Sequence, residues 1–374
     1  MKHLLTIIIL FVGIQSVAQT FTLTNATIFT GEEVLENSSI VIVDGMITQV
    51  GVTVTSQGES IDCKGKFIMP ALTNSHVHSF NPDNLKEAAQ AGVLNLLDMH
   101  GVETMQAMMA VNNETSKNAR YFYAGPAATA PNGHGTQYGF PTPTLTNPTE
   151  ANDFVANRIK AGASYLKIIV EPWKPTLTHD IVTALINAAK AADMPVVVHV
   201  SRLADALEVQ KNGASGLVHI WWDQQIKDQE LINIASRKDF FVIPTILTSH
   251  LALATIRKSG GEYLSDDLIS EQVLALYKAG VPILAGTDPP NANINYGTDL
   301  HKEMALLVAA GIPVIDALKA ATSLPAVYFR LDKVGYLKQG FKADLLVLSE
   351  SPMTNIANLN SIEQIYKKGI SIKK

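Results

Sequence analysis

Cysteine is almost absent from this chain: Cys63 stands alone among 374 residues. No intramolecular disulfide can form, so stability must come from an apolar core and any bound metal. Surplus positive charge is also lacking. Lys and Arg number 29 against 34 Asp and Glu, a formal net charge of −5, which excludes the basic footprint of a nucleic-acid-binding protein. Beyond the N-terminus no apolar run is long enough to span a bilayer, which argues against stable membrane insertion. There is no low-complexity tract, and no Gly-X-Gly-X-X-Gly follows the first strand of the strand–helix region to mark a dinucleotide site. What remains is 47% hydrophobic and 17% charged, ordinary for a soluble globular chain with one large domain or two modest ones.

Residues 1–18 stand apart. Lys2 and His3 precede an apolar run from Leu4 to Gly13, and Ser16-Val17-Ala18 supplies small residues for cleavage. This is the pattern of a secretory signal peptide. The mature protein is therefore expected to be exported, periplasmic or secreted. Cys63 lies too far from the cleavage position to carry a lipid anchor.

Residues 20–66 read as short strands, with Asp44-Gly45 as a hairpin turn between 40–43 and 46–50. From residue 67 the pattern becomes strand then helix, repeated. Apolar strand candidates fall at 67–72, 93–97, 121–125, 165–170, 195–200, 216–220, 240–244 and 282–286. Amphipathic helical stretches such as 181–192, 203–211 and 264–279 lie between them. Near-continuous apolar strands alternating with helices indicate a parallel sheet, and eight such units over 67–332 predict an α/β fold of the (β/α)8 TIM-barrel type. A doubly wound open sheet is the alternative. Strand-like segments return at 340–348 and 362–368. They are expected to pair with 20–66, so that 333–374 and 20–66 together make a small β-sandwich domain.

The stretch Phe67-Ile68-Met69-Pro70-Ala71-Leu72-Thr73-Asn74-Ser75-His76-Val77-His78 organises the chemistry. Side chains alternate along a strand, so His76 and His78 point the same way and can grip one metal ion. Active sites of such barrels lie at the C-terminal strand ends. At or near those ends stand His76 and His78, Lys167, His199, His219 and Asp288. Lys167 lies in an apolar strand, where a free ammonium is costly to bury. It could pair with Glu171, form a Schiff base, or react with carbon dioxide to a carbamate that bridges two metals. The four histidines nearby favour the carbamate.

These residues resemble the metal-dependent amidohydrolase superfamily, and within it the imidazolonepropionase-like and Xaa-Pro or Xaa-Arg dipeptidase branch. The likeness rests on His76-Val77-His78, Gly133-His134-Gly135, Lys167, His199, His219 and Gly286-Thr287-Asp288. The segments from Asp316 to Thr322 and from Gly335 to Leu345 add to it. The resemblance implies a hydrolase of carbon–nitrogen bonds with two divalent metal ions, most often zinc. His76, His78 and Asp288 would hold one, His199 and His219 the other. A carboxylated Lys167 and a hydroxide would bridge them, and Asp288 would also shuttle the proton. The implied substrate is a small amide or dipeptide, with His134, Tyr138 and Arg202 as candidate contacts and His301 as a candidate supporting residue. His100, His179 and His250 read as surface or structural.

Two departures from the pattern stand out. His219 is followed by Ile220-Trp221-Trp222, where His-Gly is usual, so the tryptophans either line the pocket or pack behind the strand. The second barrel strand ends in Asp98-Met99-His100 rather than Arg-Asp, which leaves Asp98 without a defined role. The competing reading is a mononuclear imidazolonepropionase-like cyclic-amide hydrolase or a deaminase. Such deaminases tend to carry a glutamate three residues after the fifth-strand histidine; here that position is Arg202.

Overall fold

The computed structural model of the protein describes residues 20–115, 117–260, 265 and 267–372. The expected signal peptide lies outside the described residues. The first strands are β1 (Phe21–Phe29), β2 (Val34–Val43), β3 (Met46–Gly51), β4 (Glu59–Asp62) and β5 (Phe67–Pro70). Asp44 and Gly45 both take positive φ, the turn a two-residue hairpin needs, and Val43 faces Met46 across it.

The run 67–72, expected as one barrel strand, is divided between two sheets. Phe67–Pro70 pairs in parallel with β1, whereas β6 (Leu72–Val77) pairs with β7 (Val93–Asp98). Pro70 has no N–H to continue a ladder, and the Ala71 amide turns to the Asp344 carbonyl at 3.0 Å. All of 67–77 is buried, and nothing breaks its apolar character before Thr73, so periodicity alone could not place the crossing.

The central strands continue with β8 (Arg120–Tyr123), β9 (Leu166–Ile169), β10 (Val196–His199), β11 (Gly216–Val218) and β12 (Phe241–Ile243). They form two parallel groups, β6-β7-β8 and β9-β10-β11-β12. The helices between them bury one face each. In His179–Ala191 these are Ile181, Val182, Leu185, Ile186 and Ala189, the spacing of a helix lying on a sheet. Residues 282–286, expected as a strand, make a single bridge, Val242 to Ile283. Gly286 sits where a Cβ would lie 2.6 Å from Ile243 and 2.9 Å from the His76 amide. The backbone there threads too closely between neighbours for any larger residue.

The chain ends in β13 (Leu345–Leu348), β14 (Ile362–Lys367) and β15 (Ile370–Ile372). β13 pairs with β5, so the two chain ends do share a sheet, in the order β15-β14-β13-β5-β1-β2-β3 with β4 also on β1. Hydrogen bonds thus join these strands into one sheet, where a two-sheet sandwich was expected. The sheet curls: Met46 at the β3 edge bridges to Lys342, just before β13, and Leu23, Ile40, Ile42, Ile47, Leu345 and Val347 pack into one core. Among the described residues no helix is long and apolar enough to cross a membrane.

Candidate active site

β6 places His76 on its last turn of pleat and His78 just past its end. Their Nε2 atoms are 3.1 Å apart, as same-face alternation requires. Asp288 Oδ1 lies 3.3 Å from His76 Nε2 and 3.1 Å from His78 Nε2. The His219 ring centre is 5.0 Å from that of His76 and 4.6 Å from that of His199. Lys167, opposite Val197 in the β9–β10 register, completes the group. All six expected ligands line one cavity of about 370 Å³.

The charge states follow from burial. Burial holds His76, His199 and His219 well below the ordinary imidazole value, so these rings are neutral and offer lone pairs. Burial also depresses His78, but Asp288 beside it outweighs this and leaves it raised. The Asp288 carboxyl, which burial would raise, is held below its ordinary value by His78. Burial lowers Lys167 to about 7, and no ion pair to its Nζ occurs among the described residues. An amine at that value is substantially neutral near pH 7, the form that can react with carbon dioxide.

A cation fits this donor set. Two imidazole nitrogens and a carboxylate oxygen meet within hydrogen-bond distance, and His76 Nδ1 is buried without a partner. His76, His219 and Asp288 can each bring one ligand atom within 4.8 Å of the others. His78 Nδ1 faces the His100 carbonyl at 3.1 Å. A carbonyl only accepts, so the proton sits on Nδ1, and neutral His78 keeps Nε2 as its lone-pair atom.

Backbone geometry aims these groups. His219, Thr245 and Asp288 adopt φ of +68°, +45° and +61°, conformations that cost an L-residue about 1–3 kcal/mol and persist where surroundings enforce them. Thr245 Oγ1 is 2.6 Å from His219 Nδ1. The Asp288 amide donates to the His76 carbonyl at 2.8 Å. Asn74 ties the two segments together: its Oδ1 accepts from the amides of His76 (3.2 Å) and Thr287 (3.1 Å), and its Nδ2 donates to Thr287 Oγ1 at 2.7 Å.

Other expectations are redistributed. Glu171, considered as a partner for Lys167, instead lies 2.8 Å from His199 Nε2 and accepts from Ser201 Oγ at 2.7 Å. β9 ends at Ile169, so Glu171 has left the ladder and turns toward β10. His134 and Tyr138 do line the cavity, with Trp173 beside His134. Arg202 does not: its Nε donates to Asp205 at 2.8 Å, and it lines a separate small pocket. His301 contacts the Ala91 carbonyl and Asn360, outside the cavity. The tryptophans divide. Trp221 is buried behind the strand and donates to Gln272 at 2.6 Å, whereas Trp222 faces the cavity.

Asp98 gains a structural role. It accepts from the amides of Ser79 and His100, from Gln106 and from the Tyr121 hydroxyl at 2.5–3.0 Å, and burial lifts its carboxyl to about 6. His100 is buried rather than on the surface, accepting the Ala127 amide at 2.9 Å and facing the Gly135 carbonyl at 3.0 Å. Sequence reasoning did not single out Asn74, Thr245, Ser201 or the cavity wall formed by the helix Ile246–Lys258. Only the histidine spacing and strand ends carried a local signal.

The chain is similar to known proteins over most of its length. The model of the amidohydrolase family matches residues 67–371, and that of the NagA composite domain matches residues 20–67. Ochratoxinase of Aspergillus niger is 22% identical over 87% of this chain and 80% of its own length. A Bifidobacterium longum protein assigned as a prolidase superposes with a TM-score of 0.82 at 24% identity, covering 96% of this chain and 95% of that one. A Xaa-Pro dipeptidase with bound methionine gives a TM-score of 0.82 at 21% identity, over 94% and 99%. The chain shares its fold with these dipeptidase-like proteins. With the family model spanning most of its length, the chain belongs to the amidohydrolase family, metal-dependent hydrolases acting on carbon–nitrogen bonds.

Proposed function

We propose that the protein hydrolyses a small amide or dipeptide at a site holding two divalent metal ions, with zinc the first candidate. The observation that carries this is the convergence of His76, His78, Lys167, His199, His219 and Asp288 on one cavity, with three of the histidines neutral and Lys167 poised for carboxylation. His76, His78 and Asp288 would hold one ion, His199 and His219 the other, and carboxylated Lys167 both. Such ions, when bound, polarise the scissile carbonyl and lower the pKa of water.

The chain's own residues supply the rest. Asp288 accepts the proton of the attacking water and passes it to the leaving nitrogen. Gln137 Nε2 donates to His134 Nδ1 at 3.0 Å, which leaves the Nε2 proton of His134 available to a substrate carbonyl. The deaminase reading has little support, since Arg202 lies outside the cavity. Closure of the central strands into a full (β/α)8 barrel is part of this reading. It is supported by the Ala128–Ile168 bridge between the two groups and by the Ser75 amide donating to the Ala285 carbonyl at 2.9 Å. The division into a barrel over 67–332 and a terminal β-domain goes with it. Export rests on the sequence of residues 1–18 and is tested by N-terminal sequencing of protein from its native host.

The test of function is a panel of amides, dipeptides, esters and lactones offered to metal-loaded and chelator-treated protein. Metal-dependent amide cleavage is the expected result. Turnover of esters and lactones with every amide inert would contradict it.

A further inference from the structure

The walls of the cavity say what kind of substrate enters. The helix Ile246–Lys258 presents Leu251, Ala252, Thr255 and Ile256 to the cavity, and Trp222 faces it as well. Positions 251, 252, 255 and 256 follow the i, i+4 spacing of one helix face. His134 and Trp173 add aromatic surface with ring centres 5.1 Å apart, and the His134 ring lies equally close to that of His199, 5.1 Å between centres.

Positive charge is scarce here. Among the described residues that line the cavity, Lys167 is the one lysine and no arginine occurs. Arg202 is turned away onto Asp205. Lys174 stacks its Nζ 5.4 Å from the Trp173 ring centre but does not line the cavity. Two carboxylates, Asp288 and Glu171, do line it and are buried. A substrate carboxylate entering here would be desolvated with no guanidinium or free ammonium among the described lining residues to receive it, and the metal ions of the proposed site, their charge offset by Asp288 and a carboxylated Lys167, would be engaged by the scissile carbonyl and water.

We propose that the preferred substrate is an uncharged amide bearing a bulky apolar group, rather than a dipeptide or N-acyl amino acid held by its carboxylate. This rests on the amide-hydrolase reading above and narrows it. The reaction adds water across the C–N bond. A C–O bond forms at the carbonyl carbon, the C–N bond breaks, and the nitrogen leaves with a proton, giving a carboxylic acid and an amine. The apolar group lies against Trp222 and the helix face. Matching such a pocket is worth roughly ten- to a hundredfold in kcat/KM over a substrate lacking the group.

Three matched compounds test this on metal-loaded protein: phenylacetyl-pyrrolidide, phenylacetyl-proline, which differs by the carboxylate, and acetyl-pyrrolidide, which lacks the phenyl group. The expected order places phenylacetyl-pyrrolidide about tenfold or more above each of the others in kcat/KM. Leu251 is 37% exposed on its helix, so Leu251→Arg should fold and should shift preference toward phenylacetyl-proline. Faster cleavage of phenylacetyl-proline by the unaltered protein would overturn the proposal while leaving amide hydrolysis intact. Binding is read separately by quenching of tryptophan fluorescence, since Trp173 and Trp222 border the cavity. If no compound is cleaved yet phenylacetyl-pyrrolidide binds about tenfold tighter than phenylacetyl-proline, the selectivity stands and the hydrolase reading falls. If no compound is cleaved, equal or weaker binding of the pyrrolidide overturns the selectivity.

Discussion

His199 Nε2 stands 2.8 Å from Oε2 of the buried Glu171, whose Oε1 accepts the Ser201 hydroxyl. The carboxylate draws the imidazole proton onto Nε2 and leaves Nδ1 as the lone-pair nitrogen. Carboxylates behind metal-binding histidines fix tautomer and orientation, and losing one typically costs about 10–100-fold in metal affinity. Glu171→Ala should therefore release metal to a chelator at correspondingly lower concentration, with Glu171→Gln in between because its amide oxygen can still accept. Metal retention unchanged in the alanine variant would make the pair incidental to the site.

Lys167 is buried, lowered to about 7 by that burial, and without an ion pair among the described residues. Lys167→Ala should lose metal and most activity, and excess short carboxylic acid should partly restore both by standing in for the carbamate. Lys167→Arg should resist rescue, because a guanidinium forms no carbamate. Full activity in the alanine variant would remove Lys167 from the metal site.

Asp288 combines contact to His76 and His78 with a carboxyl that is ionised at neutral pH. Asp288→Asn keeps an oxygen facing the histidines but accepts no proton. Its kcat should fall by about 10²–10⁴-fold, the usual worth of general acid–base assistance, with some metal retained. The acidic limb of the pH–rate profile should change as well. Near-normal kcat with an unaltered profile would mean that another group, His134 first, carries the proton.

Glu303 reaches across from the helix Thr298–Ala309 and accepts the Ile246 and Leu247 amides, both at 2.8 Å. It thereby anchors the start of the cavity helix, next to the Thr245 that holds His219. Burial raises its carboxyl from the ordinary 4.5 to about 7. Between those values the folded protein keeps a proton that the unfolded chain has released. Its contribution to stability is therefore greatest below about 4.5, falls as pH rises through that window, and is level above it. From about pH 5 to about pH 8, on metal-free protein, the change in unfolding free energy should be more positive in Glu303→Gln than in the unaltered protein. Both proteins also carry Asp98, raised by burial to about 6 and acting in the same direction as Glu303, and the buried histidines His76, His199 and His219, lowered by burial and acting in the opposite one, so the comparison between them is what isolates Glu303. Identical pH dependence in the two proteins would show that Glu303 does not titrate in this way.

The candidate ligands His76, His78, His199, His219 and Asp288 were legible because each sits at or near the end of an apolar run, and strand alternation alone makes His76 and His78 converge; Lys167 stands inside its run, second in β9, and was legible as a cation in an apolar strand. Their supports were not. Asn74 and Thr287 are 213 positions apart, and nothing local marks a buried asparagine as a tie between the first and last strand segments. Glu171 lies four residues from Lys167, the same face in a strand, but the ladder stops at Ile169 and the carboxylate swings to His199. Trp221 and Trp222 were indistinguishable by type, and only packing sends one behind the sheet and the other into the cavity. The fold was legible as a strand–helix period. The crossing at Pro70 was hidden because one apolar run serves two sheets.

Metal titration tests the central claim most directly. Metal-free protein is loaded stepwise with zinc, and bound metal and amide hydrolysis are followed together. The ligand set exceeds what one tetrahedral ion uses, so activity should rise until about two equivalents are bound, and Lys167→Ala should fail to hold both. Full amide hydrolysis at about one equivalent, or hydrolysis indifferent to metal, would contradict the account.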